Sequence, residues 1–180
     1  MPFLPWHQQR LDRTLNRHGI DIAYTLADLL DPPQQGRWRC RVLYDAEGAA
    51  AEYHPYVQRR VTMLRAVIDN GIDYEDKTTE RSALEALYAQ RGDADDVLIV
   101  QNGLITDTTV ANVACLIGGC WLTPARPLLE GTARARLLAE GKLREADITL
   151  TMAMAAEKIA VMNALSGFVE VAGGILPATI

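Results

Sequence analysis

Lys77 and Asp107 are the residues of this 180-residue chain whose types best suit covalent carbonyl chemistry. A lysine amine attacks an aldehyde to form a Schiff base, and does so best when it is held in place with a depressed pKa. Lys77 follows Asp73-Tyr74-Glu75-Asp76 and precedes Thr78-Thr79-Glu80-Arg81. Carboxylates facing it would raise its pKa, so a working Lys77 requires those three acids to face elsewhere. The plainer reading is an exposed lysine in a charged turn. Asp107 ends Leu104-Ile105-Thr106-Asp107, beside apolar runs, where a carboxylate either pairs with a cation or caps a turn.

These residues need elements to position them. Leu11 and Leu15 recur at helical spacing within residues 6–19, and Gly19 is a natural stop. Arg10, Arg13 and Arg17 lie about a turn apart and read as a solvated basic face. A second helix is expected over 21–30, ended by Asp31-Pro32-Pro33. Alternation predicts a strand over 38–44, a turn at Asp45-Ala46-Glu47-Gly48 and a return strand over 51–56. Residues 1–57 would then form a small first domain and 58–180 a larger second one. The second opens with a strand over 61–68, followed by the Lys77 segment and a helix over 79–91. The apolar run 97–100 reads as a buried strand, and Asn102-Gly103 is a strong hairpin signal toward 104–107. Residues 113–117 and 120–123 form another hairpin around Gly118-Gly119. Gly131 opens a helix over 132–140, whose first N–H groups and dipole could seat an anion. A strand is expected over 145–150, a short helix capped by Thr151, and a buried strand over 159–165. Asn163 in that strand requires partners, either backbone or ligand. The tail from 168 reads as a hairpin or a loose end.

Composition narrows the function. A net charge of −5 without a Lys/Arg run argues against a nucleic-acid partner. Cys40, Cys115 and Cys120 are odd in number without Cys-x-x-Cys spacing, and His7, His18 and His54 do not suggest a metal site. No apolar run is long enough for a membrane span and no signal peptide is evident, so a cytoplasmic location is expected.

Three blocks carry a family resemblance: Thr106-Asp107-Thr108-Thr109-Val110-Ala111-Asn112, Leu122-Thr123-Pro124, and Leu129-Glu130-Gly131-Thr132-Ala133-Arg134. Their order and spacing resemble the class IV aminotransferases, pyridoxal-phosphate enzymes of fold type IV, over residues 6–171. The resemblance implies an α/β (α+β) fold of two domains, like that of D-amino-acid aminotransferase, with the first shortened at its start. It implies pyridoxal 5'-phosphate as cofactor, a small amino substrate and a homodimer. Lys77 resembles the lysine that carries the cofactor and moves the proton. Asp107 resembles the acid that pairs with the ring nitrogen, more often Glu in the family. Arg10, in His7-Gln8-Gln9-Arg10, matches the arginine on the phosphate. Thr132 and Ala133 match its helix-start partners, and Asn163 and Ala164 the strand bordering phosphate and substrate. Branched-chain aminotransferases carry a tyrosine where this chain has Ser82. Lys77-x-x-x-Arg81 and Asn163-Ala164-Leu165 are instead similar to aminodeoxychorismate lyases of the folate route. The resemblance therefore implies a lyase first and a branched-chain or D-amino-acid aminotransferase second. The alternative of another class is a truncated, non-catalytic homologue.

Overall fold

In the computed structural model, which describes residues 3–178, the chain folds as two compact units dividing between Arg59 and Arg60. In the first unit, α1 (Leu4–Arg17) buries Leu11 and Leu15 against Leu26, with Leu4, Tyr24, Val42 and Tyr44 packed around them. Strands β1 (Trp38–Tyr44) and β2 (Ala49–Pro55) pair antiparallel, from Trp38 opposite Pro55 to Tyr44 opposite Ala49. The Asp45 side chain closes their turn by accepting from the Glu47 and Gly48 amides at 2.8 and 3.0 Å. The helix expected over 21–30 is corrected to a single turn, α2 (Leu26–Leu29). Gln8 of α1 explains this: its Nε2 donates to the Tyr24 carbonyl at 2.7 Å and its Oε1 accepts from the Leu26 amide at 2.8 Å. Those backbone groups serve a tertiary clamp instead of a helical ladder.

The second unit is built as helix, sheet, sheet, helix. One sheet runs β11 (Ile175–Leu176), β3 (Leu64–Ile68), β4 (Asp96–Gln101), β5 (Leu104–Ile105), and the other β10 (Gly167–Glu170), β9 (Lys158–Asn163), β6 (Asn112–Ile117), β7 (Cys120–Pro124), β8 (Arg144–Ala146). Strand β4 (Asp96–Gln101) is buried on both faces, as its unbroken apolar run requires. Its Val97 and Ile99 pack with Leu84 and Leu87 of α3 (Ser82–Ala89). Its Leu98 and Val100 join Leu64 and Ala66 of β3 (Leu64–Ile68) and face the second sheet. There Val113 and Cys115 of β6 (Asn112–Ile117) and Ile159 and Val161 of β9 (Lys158–Asn163) complete the main core. On the far face of that sheet, Ala114 and Met162 meet Ala133 and Leu137 of α4 (Thr132–Ala139). Burying each large apolar side chain stabilises the fold by about 1.5–3 kcal/mol.

The two hairpins follow their glycines. Asn102 and Gly103 have φ of 52° and 81°, and Gly118 and Gly119 have φ of 59° and 75°, as two-residue turns between twisted strands require. The first joins β4 to β5 (Leu104–Ile105) and the second joins β6 to β7 (Cys120–Pro124). Four sequence expectations are corrected here. The strand after Gly103 stops at Ile105, because the chain turns and Asp107 bridges to Asn112. The strand expected over 145–150 is only β8 (Arg144–Ala146); Thr149, not Thr151, caps α5 (Leu150–Met154), its hydroxyl accepting from the Met152 amide at 3.2 Å. The tail does not end as a hairpin alone. After β10 (Gly167–Glu170) pairs with β9, β11 (Ile175–Leu176) joins β3 in parallel.

Candidate functional site

Lys77 is exposed and lies outside helix and strand, in the connection from β3 to α3. The Thr78 amide donates to the Asp76 carbonyl at 2.9 Å, which makes Lys77 the tip of a three-residue turn. Arg81, four residues on, braces this segment. Its Nη1 donates to the Tyr74 hydroxyl at 3.0 Å, its guanidinium lies 5.6 Å from the centre of that ring, and the Tyr74 hydroxyl donates to the Thr78 carbonyl at 3.2 Å.

Asp107 is buried, at 4% exposure. Oδ1 accepts from Asn112 Nδ2 at 2.8 Å and Oδ2 from the Leu129 amide at 2.9 Å. Burial pushes the carboxyl up to about 7, while the Leu129 amide, Asn112 and the charge of Arg134 pull the other way. Two bonded oxygens leave further lone pairs for a cationic N–H. A desolvated acid poised near neutrality is stabilised as an anion by such a cation.

The loop from Asp107 to Asn112 is where Arg81, Asn163 and Leu129 meet. Arg81 Nη2 donates to the Thr109 carbonyl at 2.8 Å, tying the Lys77 segment to it. Asn163 Nδ2 donates to the next carbonyl, Val110, at 3.3 Å. Asn163 Oδ1 accepts from the Leu165 and Ser166 amides, at 2.9 and 2.8 Å, so this side chain braces the turn after β9. Ala164, on the same turn, is exposed. Asn112 reaches the other way: its Nδ2 also donates to the Leu129 carbonyl at 2.8 Å, ahead of α4.

Helix α4 begins without a side-chain cap, at Gly131. The ladder starts with the Ala135 amide on the Gly131 carbonyl, at 2.9 Å, so the amides of Thr132, Ala133 and Arg134 precede it. Thr132 and Ala133 are buried at 5% and 7% exposure, which leaves their amides as the natural contact for an anion. Gly131 is required by its neighbour, because a Cβ there would collide with Asn112 Oδ1. Arg10 belongs to the first unit, on α1, where it is half-buried while Arg13 and Arg17 are exposed.

Two residues escaped the sequence reading. Asn112 has a legible signal, its five-residue offset from the acid. Arg134 has none, since a cation in the first turn of a helix opposes the dipole. It is 5% exposed, and its Nη2 donates to the Pro124 carbonyl and to Glu145 Oε1, both at 2.7 Å, which offsets that cost; its Nε is buried without a hydrogen-bond partner. A separate hollow of about 180 Å³, lined by Gln101, Thr106, Arg126 and Asp147 among others, includes neither Lys77 nor Asp107. Among the described residues no helix is long and apolar enough to cross a membrane, and no cluster of His, Cys, Asp and Glu could hold a metal.

A buried acid beside an uncapped helix start, with an amine tied to the same loop, suits a phosphorylated cationic heterocycle bearing an aldehyde. Relatives point the same way. Residues 42–173 match the family model for amino-transferase class IV. An uncharacterized protein of Haemophilus influenzae is 35% identical over 167 residues, covering 89% of each chain. Among solved structures, a protein of Haemophilus somnus 129pt provisionally assigned as a 4-amino-4-deoxychorismate lyase superposes with a TM-score of 0.85 at 29% identity, over 92% of this chain and 90% of its own. A protein of Mesorhizobium loti provisionally assigned as an amino-acid aminotransferase gives 0.79 at 26%, over 97% and 91%. With a family match over well more than half of its length, and with this fold, the chain belongs to the class IV aminotransferase family and is a pyridoxal-phosphate-dependent enzyme of fold type IV.

Proposed function

We propose that this enzyme is a 4-amino-4-deoxychorismate lyase, releasing pyruvate and leaving 4-aminobenzoate on the folate route. One observation carries the choice. The two lyase-like motifs, Lys77-x-x-x-Arg81 and Asn163-Ala164-Leu165, close on adjacent carbonyls of one loop, Thr109 and Val110. The position after Arg81 is Ser82, an exposed residue whose amide is taken by Glu80 Oε1 at 2.8 Å, where branched-chain aminotransferases carry a tyrosine. The likeness to the Haemophilus somnus protein supports the same reading.

The chain's residues divide the work. Lys77 Nζ would hold pyridoxal 5'-phosphate covalently. Asp107 would face its ring nitrogen, the Thr132 and Ala133 amides would hold its phosphate, and Asn163 and Ala164 would border it. When bound, the cofactor supplies an electron sink for charge left on the substrate's amino-bearing carbon. Lys77 Nζ would take a proton from the substrate and return one as pyruvate departs. Asp107 as an anion would favour positive charge at the ring nitrogen and so support that sink. The working protein would be a cytoplasmic homodimer, with a second copy as its partner.

The likeness to the Mesorhizobium loti protein favours a second reading, an amino-acid aminotransferase. Incubating the cofactor-loaded enzyme with 4-amino-4-deoxychorismate separates the two. The lyase reading predicts 4-aminobenzoate and pyruvate in equal amounts without an added keto acid. No 4-aminobenzoate, together with amino transfer from a panel of amino acids to 2-oxoglutarate, overturns it.

A further inference from the structure

We infer that Arg81 is a positioning residue that latches the turn carrying Lys77 to the loop carrying Asp107, and so sets how the amine approaches the acid. The inference rests on the reading of Lys77 as the cofactor lysine. Lys77 tips a turn outside any helix or strand, so its placement must come from its neighbours. Tyr74, three residues before it, donates to the Thr78 carbonyl, one residue after it, at 3.2 Å. One phenol therefore spans the turn. Arg81 then ties that phenol to the loop, donating to the Tyr74 hydroxyl at 3.0 Å and to the Thr109 carbonyl at 2.8 Å.

The loop end of the latch is itself fixed. The Thr109 hydroxyl donates to Asp96 Oδ1 at 2.8 Å, and the Thr109 and Val97 amides donate to the same oxygen at 3.4 and 2.8 Å. Asp96 is 3% exposed at the head of β4, the most buried strand of the unit. A continuous chain of bonds thus runs from the core through Asp96, Thr109, Arg81 and Tyr74 to Thr78. A planar guanidinium can serve two acceptors on separate segments while lying over the Tyr74 ring, whereas an ammonium is a point donor and does not reproduce that fork.

The chain has three lysines, Lys77, Lys142 and Lys158. The last two pair with Glu140 at 2.8 Å and Glu170 at 3.0 Å, and act as internal references. The test compares the full-length wild type with Arg81→Met, Arg81→Lys and Tyr74→Phe. Hydrogen exchange of the cofactor-free proteins follows peptides over 73–80 and 107–111. Capture of added pyridoxal phosphate, fixed by borohydride and mapped to each lysine, follows the chemistry. Arg81→Met should speed exchange in both peptides while β4 stays protected, and should weaken capture at Lys77 by about tenfold, the scale of a charged hydrogen bond. Arg81→Lys should restore little of either. Tyr74→Phe added to Arg81→Met should cost little more, because the two side chains form one device.

Unchanged exchange in Arg81→Met overturns the latch. Faster exchange with undiminished capture at Lys77 makes it structural only and overturns the positioning role, as does full restoration by Arg81→Lys. If the wild type itself captures nothing at Lys77, the cofactor reading falls, and exchange alone still decides whether the latch exists.

Discussion

At Asp107 both carboxyl oxygens accept hydrogen bonds, and burial pushes the group up to about 7. A carboxyl raised from 3.8 takes up its proton more readily in the folded chain. The stability this confers is complete below about pH 4 and is lost as the pH rises toward and through about 7. By linkage the loss is at most about 4 kcal/mol. The cofactor-free wild type should therefore lose Tm, relative to Asp107→Asn, between pH 4.5 and 7.5. A constant difference across that range would mean that the group titrates normally. Asp107→Ala should also cost stability, since it strands the half-buried Leu129 amide at about 1–3 kcal/mol. Lys77 and Asp107 stand out in the sequence because few residue types suit such chemistry. Asn112 offers only its five-residue offset from the acid and Arg134 offers nothing, because their meaning lies in contacts with Leu129, Pro124 and Glu145, far away in sequence.

Among the elements, the start of α4 is the most constrained. Gly131→Ala would drive a methyl into Asn112 Oδ1, displacing the side chain that joins Asp107 to the Leu129 carbonyl. We expect a loss of about 1–3 kcal/mol, as for overpacking, together with weaker pyridoxal-phosphate binding. Thermal unfolding and cofactor titration would check both, and two unchanged values would mean that Asn112 does not hold the helix start. Strand β4 behaves as a core element: Leu98 is fully buried, and Leu98→Ala should cost about 2–5 kcal/mol, read as a lower denaturant midpoint at unchanged slope. An apolar run made β4 readable, and paired glycines made both hairpins readable. The boundaries of α2, β5 and α5 were not, because Gln8, the Asp107–Asn112 bridge and Thr149 set them through side-chain or tertiary bonds. The tail's return to β3 was equally hidden, since parallel pairing with a distant strand leaves no local signature.

For the whole molecule, the order of the motifs made the fold class legible before any contact was known, whereas the helix–sheet–sheet–helix layering of the second unit needed the structure. That layering serves the site. Two sheets share one core, and the loop from Asp107 to Asn112 leaves that core to meet Arg81, Leu129 and Asn163. The central claim is that Lys77 carries the cofactor. It is tested by adding pyridoxal phosphate to the full-length protein, recording the visible spectrum, reducing with borohydride and mapping the modified peptide, with Lys77→Ala alongside. A visible band that reduction fixes on Lys77 is expected, with neither band nor turnover in Lys77→Ala. A band fixed on Lys142 or Lys158, or full turnover by Lys77→Ala, would contradict it.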